Sequence, residues 1–400
     1  MFAQPKTIFW SLYFSGCILG GLLFAETGED EALQGKIQNP QDPGVSPLNL
    51  DPYYTKILYC KGFPIVSSDQ VSDFALHEAA YLIDKMIGHR EDILEEMARQ
   101  KVRLAIMAPQ EFTTQIPEHA TLEPKIYWDK RARGLGASRT RPAVSVGEEN
   151  LLGYPGDPYS TESILIHEFA HAIHLMGVNF VDPGFQERLE QAFGRAKLKG
   201  LWKGKYAGTN PSEYYAEAVQ SWFDTNREDD HDHNHVDTRE ELIAYDPEVA
   251  ELVKEIFGDH KWRYIAPAKR YGQGHLKGFD AANRPTFSWP PELVKAYADL
   301  EEGKGLVAVE LKKMETFGKD SVTKASGPSI TLRVENESKL GVSIHWIGFD
   351  GLRREYGKAD PARKIEQQTY GGHHWVFVDE QGNDLGWVVA PDKDAKVTIP

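Results

Sequence analysis

The stretch HEFAHAIH, residues 167–174, decides how the larger part of this chain is read. His167 and His171 stand four apart, so a helix sets both imidazoles on one face, about 6 Å apart along the axis. Two ligands of one tetrahedral Zn²⁺ need that bite. Glu168 is turned about 100° from His167. It is too near in sequence to join the ligands, but it can reach a metal-bound water as general base. The flanks predict a helix. Asp157-Pro158 and Ser160-Thr161 are start signals, Ile164, Leu165, Phe169 and Ile173 supply packing surface, and Gly177 is a candidate stop. His174 lies on the same stripe, but about 10.5 Å of rise from His167 keeps both from reaching one ion. It is expected to pack or to support a ligand. The third ligand must come from elsewhere.

Its best source is TNPSEYYAEAVQSWF, residues 209–223. Asn210 is a good N-cap, Pro211 fits the first helical position, and Glu213 and Glu217 recur one turn apart on one face. One carboxylate completes a His₂Glu site for a single Zn²⁺. The other can accept a hydrogen bond from a ligand imidazole and fix its tautomer. Spacing alone does not order the two. Ala216 and Ala218 are small enough to let this helix lie close against the HExxH helix.

Around these motifs the composition is that of a globular protein. The 400 residues are 41% hydrophobic with 35 Gly, enough for two or three domains. A formal charge of −15 disfavours nucleic acid and anionic membrane surfaces as partners. The cysteines, Cys17 and Cys60, exclude a disulfide framework and a cysteine zinc knuckle, so a metal site must use imidazoles and carboxylates. Cys60 is expected as a small buried apolar side chain.

Residues 1–25 read as an export signal: Lys6 is the one charge before Glu26, and Thr7–Ala25 is almost continuously apolar. That run also suits a membrane anchor, and Phe14–Cys17 loosely resembles a lipobox. The preferred reading is cleavage after Ala25, giving a secreted or periplasmic chain with no stable membrane partner. Residues 26–52 predict a linker and 53–266 a mixed domain, with VRLAIMAP and AVSVGE as strands. Residues 267–325 read as a polar, partly helical connector. Over 326–400, short β-rich runs such as ITLRVEN and VSIHWIGF predict a small antiparallel sandwich. The fold class is thus α+β, followed by a small all-β domain.

HEFAHAIH followed by YAGTNPSEYYAEA (206–218) resembles the catalytic domain of anthrax lethal factor and its relatives among the gluzincin metallopeptidases. The resemblance is good over roughly 160–225. It implies that His167 and His171 bind zinc, that Glu168 is the general base, and that Glu213 is the third ligand, leaving Glu217 to support a ligand imidazole. It also implies that Tyr206 stabilises the oxyanion, a role that suits a phenol donor. His174 departs from the toxin family, which tends to be acidic or polar there.

The tail, over about 328–399, resembles the β domain of the von Hippel–Lindau tumour suppressor, on its WIGFDG turn, the tyrosine that follows, and TYGGHHW. That family recognises hydroxyproline in a peptide. The resemblance implies pocket residues Trp346, Tyr356, Thr369, His373 and Trp375, with Thr369 standing where the family has serine. One further cluster, NREDDHDHNHVDTREE at 226–241, carries His231, His233 and His235 among acids. It reads as a solvated loop, a second metal site being the alternative. The reading is therefore an exported zinc metallopeptidase with an appended module for protein or peptide substrates, proline- or hydroxyproline-rich chains among them. A catalytically inactive binding protein of the same fold, and a zinc amidase acting on non-peptide substrates, are the alternatives.

Overall fold

The computed structural model describes residues 35–318 and 320–400; the expected signal and Cys17 lie outside them. β1 (Lys56–Cys60) folds back into β2 (Phe63–Ser67) through Lys61 and Gly62, at φ 46° and 82°. Positive φ at both residues is what a two-residue hairpin turn demands. β3 (Arg103–Met107), β4 (Gly134–Leu135) and β5 (Ala143–Gly147) complete a sheet of order β1-β2-β3-β5-β4. β3 runs parallel to β2 and β5, and β4 lies at the edge, antiparallel to β5. β2 and β5 are buried along their whole length, as strands covered on both faces must be.

The main core, with Leu76, Ile83, Phe169, Tyr215 and Trp222, gathers the helices Asp73–Ile87, Glu91–Arg99, Ile164–Ala172 and Pro211–Trp222. Cys60 is buried there, and burial pushes its thiol up to about 12. A smaller core, with Tyr54, Ile57, Val66, Met107 and Ile116, forms separately. Leu50 belongs to it, Val45 and Leu48 pack against it, and Gln38 exchanges backbone hydrogen bonds with Ile57 at 2.9 and 3.0 Å. The expected linker 26–52 is therefore packed onto the domain over its described part, because its few apolar residues have a core to cover.

The HExxH helix starts one residue after Ser163, whose hydroxyl accepts from Ile166 N–H (3.4 Å). Ser160 and Thr161 do not cap it, and Asp157 instead closes a turn at Tyr159 N–H (2.9 Å). Nor does Gly177 stop it. The helix continues through a π-helical segment, Ile173–Val178, and a last turn at Asn179–Val181. A Cβ on Gly177 would stand 2.7 Å from Ile93 Cγ2, so this glycine permits close helix packing. Ile164–Val181 is long and apolar enough to cross a membrane by length and composition, yet 72% of it is buried inside the fold.

The expected connector divides in two. Leu276 and Phe287 are buried, Tyr271 and Phe279 pack on the main core, and buried Glu78 pairs with Arg270 and with His275 (2.6 Å). Helix Pro291–Glu301 follows and packs on helix Lys125–Arg131. β6 (Val307–Ala308) already belongs to the sandwich. The remaining strands are β7 (Ser329–Asn336), β8 (Val342–Ile347), β9 (Arg353–Ala359), β10 (Lys364–Tyr370), β11 (His374–Asp379), β12 (Asp384–Val389) and β13 (Ala395–Ile399). They form two sheets, β10-β7-β13-β6 and β12-β11-β8-β9, around Leu332, Val334, Ile344, Phe377 and Val397. The sandwich is not wholly antiparallel: β13 crosses back from the other sheet and runs parallel to β7 and β6.

Candidate metal centre and peptide pocket

Asn210 caps helix Pro211–Trp222, its side-chain oxygen accepting from Ser212 N–H (2.9 Å) and Glu213 N–H (3.0 Å). That sets Glu213 in the first turn, facing the HExxH helix packed alongside. Glu213 Oε2 lies 3.2 Å from His171 Nε2 and 3.3 Å from His167 Nε2, and the two Nε2 atoms are 3.2 Å apart. Among the described residues, His167, His171 and Glu213 are the one group whose donor atoms gather closely enough to hold a metal ion.

The imidazoles are oriented from behind. His167 Nδ1 lies 2.8 Å from Gln220 Oε1, and Gln220 Nε2 donates to Glu162 Oε2 (3.0 Å). The second bond assigns the amide so that its oxygen faces His167, which places a proton on Nδ1 and turns the Nε2 lone pair toward Glu213. His171 Nδ1 is 2.9 Å from Ser212 Oγ, a hydroxyl that can accept its proton and so hold the ring with Nε2 toward Glu213. Two imidazole nitrogens and a carboxylate oxygen of this kind, converging at this range, form a donor set that a divalent metal can bridge once the imidazoles are neutral.

The electrostatics agree. Burial alone would lower the His167 pKa, but Glu213, Glu168 and Glu217 overturn it and push it up to about 10. Burial likewise disfavours the Glu213 charge, and His167 and His171 hold its carboxyl well below the usual range. Positive charge is drawn to the point where the nitrogens meet. Glu168 stands outside the converging donors; burial holds its carboxyl above the usual carboxylate range, against the pull of the His167 and His171 imidazoles.

A cleft of about 520 Å³ opens over these residues, walled by Arg131, the Gly134–Gly136 backbone, Tyr206 and His233. A Cβ on Gly134 would stand 2.4 Å from Ile164 Cγ2, and one on Gly136 would stand 2.8 Å from His171 Cβ. Glycine at both positions lets the edge of the sheet lie directly on the HExxH helix. Tyr206 stacks near His167 (6.3 Å between rings, 29° between planes). Burial and then Glu213 raise its phenol, which keeps it a donor.

Two expectations change, those for Glu217 and for the histidine loop, while His174 packs as expected. Glu217 Oε1 stands 3.5 Å from His167 Nδ1, at ion-pair distance, while the hydrogen bond of that nitrogen goes to Gln220 Oε1 (2.8 Å), so Glu217 shares the supporting role rather than filling it alone. Gln220 follows Glu213 by seven residues on the same helical face, a signal the sequence offered. The histidine loop is not simply solvated: His231 is exposed and His235 lies against Tyr245, but His233 is buried, with Nε2 3.2 Å from Glu217 Oε2. These three histidines do not converge on a second metal site. His174 packs between Phe185 and Tyr215, 2.8 Å from Gln186 Oε1, and burial lowers its pKa to about 4.

In the sandwich, the five pocket residues come together. Trp346 stacks on His373 (5.2 Å, 26°), and Tyr356 stands edge-on to Trp346 (6.1 Å) and to Trp375 (5.5 Å). Trp375 Nε1 donates to Thr369 Oγ1 (3.0 Å), and His373 Nε2 lies 2.9 Å from Ser326 Oγ. Thr369 and Trp375 are buried, whereas Tyr356 is 54% exposed. Phe349, which the sequence reading passed over, is 58% exposed and extends the aromatic wall beside Trp346 (5.7 Å) and His373 (6.0 Å).

Residues 325–391 match the family model of the VHL beta domain. Comparison of the chain with curated proteins finds no match.

Proposed function

We propose that this chain is an exported zinc-dependent metallopeptidase of the gluzincin type, whose C-terminal domain binds proline- or hydroxyproline-containing chains. The observation that carries the catalytic half is the meeting of His167 Nε2, His171 Nε2 and Glu213 Oε2 within 3.2–3.3 Å, beside a half-buried Glu168 that lines the same cleft. When bound, Zn²⁺ would supply Lewis acidity toward a carbonyl and an attacking water. Glu168 takes the proton of that water and returns it to the departing amine. Tyr206 donates a hydrogen bond to the oxyanion of the tetrahedral intermediate. β4, paired on one side to β5, offers its other edge to an extended peptide laid along Gly134–Gly136. Export rests on the Thr7–Ala25 run of the sequence alone.

The tail reading is supported by the VHL beta domain match and by the grouping of Trp346, Tyr356, Thr369, His373 and Trp375. Thr369 Oγ1 accepts the Trp375 N–H, which leaves its own O–H as a donor at the floor of the aromatic group. The aromatic rings suit a proline ring. Because the match covers the tail, it also favours a second reading: a binding protein whose first domain does not cleave. Metal analysis of the purified protein beside cleavage of a peptide library separates the two. Zinc near one per chain with cleavage supports the peptidase, and no cleavage by zinc-replete protein leaves the binding reading.

A further inference from the structure

The loop 226–236 touches the candidate metal centre at two consecutive residues. The Asp232 backbone oxygen accepts from Tyr206 N–H (2.8 Å), and His233 Nε2 meets Glu217 Oε2 (3.2 Å). From there polar contacts run in a ring that begins and ends on His167 Nδ1. Gln220 Oε1 is 2.8 Å from that nitrogen, and Gln220 Nε2 reaches Glu162 Oε2 at 3.0 Å. Glu162 Oε1 is 3.3 Å from Arg227 Nε, which is 3.3 Å from Asp230 Oδ2. Asp230 Oδ1 is 2.9 Å from His233 Nδ1. Glu217 closes the ring, returning to His167 Nδ1 at 3.5 Å.

Glu217 is 2% exposed, and Asn226 Nδ2 donates to its Oε2 (3.1 Å). Besides His167, His233 is the one histidine, lysine or arginine among the described residues within ion-pair distance of it. A buried carboxylate that loses its partner must move, recruit water or take up a proton, and each option disturbs what it supports.

We infer that His233 is a positioning residue: it holds Glu217 and, through the adjoining Asp232 carbonyl, Tyr206 in fixed register with His167. The inference rests on the proposed metal site and extends it to a loop whose composition reads as solvated. It accounts for one buried histidine among exposed acids, which a purely solvating loop does not need.

The test uses the full chain and needs no substrate. Zinc affinity is measured by chelator competition, and the Co²⁺-substituted absorption spectrum reports the ligand field. His233→Gln keeps an amide nitrogen near the position of Nε2, facing Glu217. His233→Asn places its nitrogen near Nδ1, keeping Asp230 and abandoning Glu217. The expected result is a 10–100-fold weaker zinc affinity and an altered cobalt spectrum for His233→Asn, with most of both restored in His233→Gln. Because both variants retain a polar group in the same space, thermal melts should place them within a few degrees of each other. Equal affinities for the two, or parental behaviour of both, overturn the inference. Glu213→Ala is the separate control. If it loses zinc while His233→Asn does not, the metal site stands and the positioning role falls; if it binds like the parent, the metal site itself falls.

Discussion

Gln220→Leu tests the metal centre at its least conspicuous member. Leucine is close in size to glutamine, so the substitution removes polar contacts while largely keeping the packing. The His167 Nδ1–H loses the acceptor that stands 2.8 Å away, in a place where Gln220 is fully buried and water has little access. An orphaned buried donor costs about 1–3 kcal/mol. If that cost falls on the metal-binding orientation of the ring, it corresponds to roughly a 5–150-fold weaker affinity at about 1.4 kcal/mol per decade. The usual effect of removing an outer partner of a ligand imidazole, about 10–100-fold, lies in the same range. Glu162 Oε2 also loses its donor, but Arg227 remains near its other oxygen, which limits the loss of fold stability. The assay is chelator competition on metal-free full-length protein, with a thermal melt of the same sample. An affinity within about twofold of the parent, with an unchanged melt, would refute the orientation argument.

Other perturbations probe neighbouring links. Glu168→Gln should keep zinc near one per chain and lower peptide hydrolysis by about 10²–10⁴-fold; cleavage at the parental rate would remove Glu168 from the mechanism. Gly136→Ala puts a Cβ 2.8 Å from His171 Cβ, so the strand must retreat by about 1 Å, which can cost on the order of 100-fold in hydrolysis, with about 1–3 kcal/mol of stability lost. Parental kinetics would show that this edge does not position substrate. Tyr356→Ala with His373→Ala should abolish any preference of the protein for hydroxyproline over matched proline peptides, measured by calorimetry; a preference that survives in the double variant places the pocket elsewhere. His119 is 1% exposed and its pKa is lowered to about 4 by burial. The unfolded chain then binds the extra proton between about pH 6.5 and 4, so stability should be complete above that window and fall through it, by at most about 1.4 kcal/mol per pH unit from this group. His119→Gln should flatten the slope in urea melts across pH 4–7, and an unchanged slope would exclude this histidine as its source.

What the sequence determined by itself was local. Four-residue spacing puts His167 and His171 on one helical face, and Asn210-Pro211 fixes the start of the helix that carries Glu213, because caps and helical periodicity depend only on neighbouring residues. The β-rich alternation of the tail was legible for the same reason. Everything that depends on how two elements cross was not. Lys61-Gly62 turns a hairpin only because β1 and β2 find each other, and residues 35–52 pack because a sheet face awaits them. That Gln220 reaches His167 Nδ1 at 2.8 Å while Glu217 stops at 3.5 Å is decided by the packing of two helices, which spacing along one helix does not contain. His233 lies among acids that composition assigns to water, and is buried because Glu217, sixteen residues earlier in the chain, leaves a carboxylate inside the fold that needs a partner. Local hydrogen-bonding geometry is written residue by residue, whereas the choice of partner for a buried polar group is made by the tertiary structure that desolvates it.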